Sequence, residues 1–204
     1  MPRTLSQTDI EDFRERLCDA AEHLFAERGA EGVTIRELAA AVGVSAMTPY
    51  RYFKDKDAIL AAVRARAFDR HAEALEAAYA AAGSDPAARP GALADAYVRF
   101  AEENPEAYKL MFDVRQPSAG DYPELVRAGS RSYRTMTLQL SEKAAEGALP
   151  GDPEKIGQMY WAALHGPLML QMSGLLDRET ARTLIHDLLA TLDKGLWGEA
   201  RPGL

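Results

Sequence analysis

Apolar residues recur at intervals of three and four through nearly the whole 204-residue chain, and no alternating run of β-branched residues reaches strand length. That spacing turns one face of a helix toward a core, so the expected fold is all-α with about nine helices. The longest unbroken apolar runs, such as Ala58 to Val63 and Met159 to Leu164, fall well short of the roughly 20 residues a membrane helix needs. No bilayer span is expected. The first residues turn acidic early and lack the apolar stretch of a secretory signal, so a cytoplasmic protein is expected. Cys18 is the single cysteine, which forbids an internal disulfide or a thiolate metal cluster. No metal or other cofactor is expected.

The helices can be placed by their caps. The first spans about Thr8 to Arg28, with Phe13, Leu17, Ala21 and Phe25 on one stripe and Gly29 as its stop. Thr34-Ile35-Arg36-Glu37 reads as a capping box that starts a second, short helix. Gly43 ends that helix, and Ser45 can cap a third that finishes by Phe53. Two short helices joined by so tight a turn form a helix-turn-helix. A long fourth helix, capped by Asp55 or Asp57, reaches about Ala82. The fifth carries Leu93, Tyr97 and Phe100, and Asn104-Pro105-Glu106 opens a short sixth with Asn as its cap. Asp113 to Asp121 is the least patterned stretch. Three further helices follow, from about Tyr122, Asp152 and Arg178. The last two are apolar over so wide a surface that a second copy of the chain is the simplest cover, which implies a homodimer.

A formal net charge of −7 argues against a protein that holds nucleic acid by whole-molecule attraction. The balance is local, however. Residues 1–56 carry eight bases and ten acids, yet Thr34 to Lys56 holds four bases against only Glu37 and Asp55. Any DNA surface is therefore small and lies in that stretch.

The run TIRELAAAVGVSAMTPYRYFKDKDAIL, Thr34 to Leu60, resembles the DNA-binding domain of bacterial TetR-family transcriptional regulators. Shorter likenesses, at Asn104 to Phe112 and at Trp161-Ala162-Ala163-Leu164-His165-Gly166, are to TetR-type C-terminal domains with a Trp/His/Gly signature. The resemblance implies a three-helix helix-turn-helix domain over residues 1–56 and a helical ligand-binding and dimerisation domain over 57–204. It implies a repressor that binds operator DNA as a homodimer and is released by a small molecule. A recognition helix presents its first residues to base edges, which makes Ala46, Met47 and Thr48 the candidate readers, with Arg51 one turn on and the cap Ser45 counted with them in the DNA-binding set. Arg51 and Arg36 have the bidentate geometry that grips guanine. By family analogy Tyr50, Tyr52 and Lys56 face phosphates, with Thr34 a further backbone contact. Tyr50 and Tyr52 can equally be half-buried core aromatics, and Arg51 a solvated charge. Pro49 departs from the aliphatic residue usual at its place, and it either shortens the recognition helix or moves its start to Thr48.

Trp161, His165 and Met169 are four residues apart and share one helix face, beside a Pro167 that removes an amide donor. They suggest a ligand pocket completed by Tyr97, Phe100, Tyr108, Met111 and Tyr133, lined so as to favour an apolar or aromatic effector. A plain core with one satisfied histidine is the competing reading. An enzyme is not expected, because no phosphate loop, His/Cys pair or carboxylate pair on an apolar helix face is present. The remaining alternative is an α-helical ligand-binding or interaction protein without sequence-specific DNA binding.

Overall fold

The computed structural model describes residues 6–83, 85, 87–113 and 119–198. The N-terminal residues 1–5, Ser84 and Pro86 of the expected break, and 114–118 of the unpatterned stretch lie outside the described residues. Within them the protein is all-α, with eight helices and no strand. These are α1 Gln7–Arg28, α2 Ile35–Ala41, α3 Lys56–Ala81, α4 Ala88–Glu103, α5 Pro105–Met111, α6 Pro123–Ala145, α7 Pro153–Met172 and α8 Arg178–Trp197.

The third expected helix, from Ser45 to Phe53, is instead a chain of turns around one 3-10 turn at Pro49–Arg51. Pro49 has no amide hydrogen, so the bond it would donate to the Ser45 carbonyl cannot form. That carbonyl accepts from Thr48 N at 2.9 Å instead, and Tyr52 N and Phe53 N both close on Pro49 O at 2.9 Å. Ser45 is therefore no α-helical cap. Other ends follow their local chemistry. Ser6 and Asp9 form a capping box at α1, Thr34 and Glu37 another at α2, and Asp152 and Asp177 cap α7 and α8. Asp55 caps α3 by accepting from Ala58 N at 2.8 Å. Asn104, expected to cap α5, instead donates its side-chain amide to Phe100 O at 3.2 Å and closes the end of α4.

The chain divides into two compact units, Met1–Arg70 with Glu106–Ser130 and His71–Pro105 with Arg131–Leu204, so α3 contributes to both. In the first, Phe13, Leu17, Phe25, Leu38, Phe53 and Ile59 form one buried core. Gly43 takes the left-handed φ of 72° that lets the turn after α2 reverse, and Val44 N then reaches back to Ala39 O at 3.0 Å. Arg64 on α3 is buried and donates to Met111 O at the end of α5, 2.7 Å away. Burial holds its guanidinium below the usual arginine range.

In the second unit α7 and α8 pack together more extensively than any other helix pair. Gly157 allows α6 and α7 to approach closely, since a Cβ there would fall 2.8 Å from Thr137 Cγ2 and 2.9 Å from the Tyr133 hydroxyl. Glu102 on α4 receives both Arg178 and Arg182 of α8. The hydrogen bond from Arg182, with that from Arg178 beside it, holds the carboxyl down at about 2. His71 is buried, shares a 2.7 Å hydrogen bond with Ser132 Oγ, and meets the edges of Tyr97 and Phe100 at 4.9 Å. Burial pushes its imidazole down to about 4.

Candidate nucleic-acid interface

The first unit carries the ten residues singled out for DNA, and their side chains fall into two sets. Met47 is 70% and Tyr50 50% exposed. Arg36, Ser45 and Arg51 are also exposed, with Ala46 and Thr48 half-buried beside them. Ser45 Oγ and Thr48 Oγ1 are 2.9 Å apart and hydrogen-bonded.

The other set is held by the unit itself. Tyr52 stacks on Phe13 with ring centroids 4.2 Å apart, and its carbonyl accepts from Arg14 Nη1 at 2.7 Å. Arg14 also lies over the Phe53 ring at 4.2 Å, so α1 supports the recognition segment from beneath. Thr34 Oγ1 donates to Glu37 Oε2 at 2.7 Å. Lys56 places its ammonium on two carbonyls of the turn between α1 and α2, Ala30 O at 2.6 Å and Val33 O at 3.1 Å.

The electrostatics of this face turn on which charges are already engaged. The Glu37 carboxyl lies below its ordinary range, first because the Thr34 hydroxyl donates to it and then through the Thr34 amide and nearby Arg28. Asp55 accepts the free amide of Ala58 at the start of α3. Both acids of the Thr34 to Lys56 stretch are thus bound internally, while Arg36, Arg51 and Lys54 are exposed without an ion-pair partner among the described residues. A small cationic surface survives on an acidic chain. Lys54 is absent from the residues picked out by sequence, although its place between two engaged neighbours in the Tyr50 to Lys56 run marks it.

The eight residues suggested for a ligand pocket are distributed over both units. Tyr108 and Met111 are buried in the first, where Tyr108 meets the edge of Phe112 at 5.0 Å. In the second, Trp161 Nε1 donates to the Tyr97 hydroxyl at 3.1 Å, and the Trp161 and His165 rings lie 5.5 Å apart. Burial lowers the His165 imidazole. Phe100 is buried, Met169 half-buried, and Tyr133 donates to Glu154 O at 3.4 Å across the α6 and α7 approach. A pocket in this unit opens among α4, α6, α7 and α8 and is lined by a different set, including Met136, Gln139, Leu140, Tyr160, Leu189 and Asp193. These side chains recur every three or four residues along α6 and α8, a signal the sequence does carry. No group of three or more metal-ligating side chains occurs among the described residues, and no helix there is long and apolar enough to cross a membrane.

This arrangement of a capped helix, a glycine turn and an exposed basic segment is that of a helix-turn-helix protein. The chain belongs to the TetR family of transcriptional regulators: a model of bacterial regulatory proteins of the tetR family matches residues 17–63, and one of a tetracyclin repressor-like C-terminal domain matches 90–192. It is 26% identical over 183 residues to the uncharacterized HTH-type transcriptional regulator Rv0681 of Mycobacterium tuberculosis, covering 90% of this chain and 81% of that one. A solved protein of unknown function from Rhodococcus sp. RHA1 is 32% identical, with a TM-score of 0.76 over 96% of this chain and 98% of its own. The TetR family regulator PfmR from Thermus thermophilus shares the fold at 22% identity, with a TM-score of 0.66 over 91% of this chain and 100% of its own.

Proposed function

We propose that this regulator is a repressor that binds an operator as a homodimer and is released by a small molecule. The observation that carries the DNA half is the exposure of Met47, Tyr50, Arg51, Arg36 and Lys54 in a stretch whose two acids, Glu37 and Asp55, are hydrogen-bonded within the unit. Met47 and Ala46 suit thymine methyls, Arg51 and Arg36 suit guanine edges, and Tyr50 and Lys54 suit phosphates. Thr48 and Ser45 offer hydroxyls to a base or a phosphate. Thr34, Tyr52 and Lys56 contribute by holding the segment, with what donor capacity remains turned to the backbone of DNA.

The dimer rests on the outer faces of α7 and α8. Met159, Ala162, Gly166 and Leu170 follow one another at helical spacing on α7, with Met159 45% and Leu170 39% exposed. Leu184, Leu188 and Leu192 form a partly exposed row on α8. Two copies of such a pair bury the rows against each other as a four-helix bundle. Because α3 runs through both units, ligand occupation is transmitted along it to the spacing of the two reading heads. That spacing must match about 34 to 36 Å or a multiple of it.

A gel-shift with the DNA upstream of the protein's own gene tests the reading. A retarded species that specific competitor removes and random DNA does not is the expected result. Equal competition by both leaves only the alternative, a helical ligand-binding protein without sequence-specific DNA binding.

A further inference from the structure

We propose that Arg14 of α1 is a positioning residue for the DNA-reading segment: it touches no DNA, and it fixes the direction in which Tyr50 and Arg51 present their side chains. That role rests on the segment being the operator-binding head proposed above, and it makes operator preference depend on a residue outside that head.

Arg14 stands where an apolar side chain would serve the core as well. Its neighbours on α1, Phe13 and Leu17, are buried in the core of the first unit, and Arg14 lies half-buried beside them. Partial burial of a guanidinium is costly unless its donors and its flat face find partners. Here they do. Nη1 donates to Tyr52 O at 2.7 Å, and the guanidinium carbon lies 4.2 Å from the centre of the Phe53 ring. Next in sequence, Phe13 stacks on the Tyr52 ring at 4.2 Å. Two consecutive residues of α1 thus grip two consecutive residues at the end of the reading segment.

The grip falls where the main chain supplies none. Tyr52 N and Phe53 N both close on Pro49 O, yet Tyr52 O receives no main-chain donor among the described residues, because α3 begins only at Lys56 and Ile59 N reaches back to Asp55 O. The Arg14 donor stands in for the missing helical bond. Tyr50 and Arg51, both exposed, are the two residues before that carbonyl. A rotation of the Tyr52 peptide plane carries their side chains with it, and a binding group keeps its aim only within about 10 to 20°. Because Arg14 directs a donor and its flat face at the segment itself, its effect differs in kind from that of a phosphate contact.

Fluorescence anisotropy with the full chain tests this, using an operator fragment that the wild type selects from genomic DNA and a random fragment, each over a range of salt. All measurements are made at a temperature where unfolding curves show every variant folded. Arg14→Met keeps the packing of the stem and removes the donor and the charge; it is expected to lower operator affinity about tenfold, to lower affinity for random DNA far less, and to leave the salt slope unchanged. Arg14→Gln repeats the test with a polar side chain too short to reach both partners. Arg14→Lys, which can still place an ammonium on the Tyr52 carbonyl, should recover most of the loss. Arg51→Ala should cost less in the Arg14→Met background than in the wild type, since a misdirected Arg51 has less contact to lose. A loss shared equally by both DNAs overturns the proposal: with a salt slope reduced by about one unit it marks a phosphate contact, and with an unchanged slope a general loosening of the unit. An operator preference that Arg14→Met and Arg14→Gln leave intact, or full additivity with Arg51→Ala, overturns it too while the reading head stands. If the wild type selects no fragment, the reading head falls and the role of Arg14 with it.

Discussion

The indole N–H of Trp161 donates to the hydroxyl of Tyr97 at 3.1 Å, so two aromatic side chains that sequence assigned to a ligand's surroundings are bonded to each other. Tyr97 is buried and meets His71 edge-on. The pair is a polar link between α4 and α7. Trp161→Phe, which keeps most of the ring and removes the donor, is expected to lower stability by about 1 kcal/mol in urea unfolding. If ligand-induced operator release is also lost in this variant, the pair serves the effector as well as the fold.

Lys54 and Lys56 are expected to behave differently despite their proximity. Lys56→Met removes two hydrogen bonds to the carbonyls of Ala30 and Val33 and should cost about 2 kcal/mol of stability. Lys54→Ala should leave the thermal midpoint unchanged and reduce the salt slope of DNA binding by about one unit. Identical melting curves for the two variants would show that the Lys56 bonds contribute nothing net.

For the reading head, Arg51→Ala should weaken operator binding by about 1 to 3 kcal/mol while changing affinity for random DNA far less. Thr48→Ala removes the hydroxyl that pairs with Ser45 Oγ and should have a smaller effect in the same direction. Fluorescence anisotropy with both DNAs at fixed salt separates these outcomes from a uniform loss.

Two acid-labile elements act in different pH windows. His71 has a folded value of about 4 against 6.5 when free, so as pH falls through 6.5 the unfolded chain takes up a proton that the folded chain refuses. Stability should drop by about 3 kcal/mol between pH 6.5 and 4 from this group alone. Glu102, held near 2 against 4.5 when free, contributes stability that is present above 4.5 and lost as pH falls toward 2. Unfolding free energies measured at intervals from about pH 7.5 to about pH 3.5 should show the first loss vanish in His71→Gln and the onset of the second vanish in Glu102→Gln.

The dimer seam is open to a charge test. Leu188→Glu and Met159→Glu place carboxylates on the exposed rows of α8 and α7, and each should give a folded monomer by analytical ultracentrifugation with much weaker operator binding. A dimer that survives both changes has its seam on another face.

The Thr34 cap was legible because its partner Glu37 is near in sequence, and so was Asp55, with Ala58, as one of two candidates beside Asp57. Pro49 announced its own irregularity, but its effect depended on whether the Ser45 carbonyl could find another donor, which it did three residues on. The acceptors of Lys56 are main-chain carbonyls 26 and 23 residues away, and a carbonyl has no identity in sequence. For the pocket, the i, i+4 rows at Met136 and Leu140 and at Leu189, Asp193 and Trp197 were readable as faces. Which faces meet is set by helix packing, so the sequence pointed to the Trp161 face of α7 while Tyr160 and Leu164 line the cavity.

Pro49 has one more consequence. With φ set by its ring and Phe53 N anchored on its carbonyl, the segment proposed to meet DNA has little backbone freedom left to surrender on binding. Affinity at such a head is governed by preorganisation. Lengthening it into a regular α-helix by replacing the proline would restore a main-chain bond and, by shifting the side chains of Tyr50 and Arg51 around a new axis, change which bases they reach. Replacing Pro49 is therefore expected to change operator preference as well as local backbone order, which affinities for a set of operator variants would read.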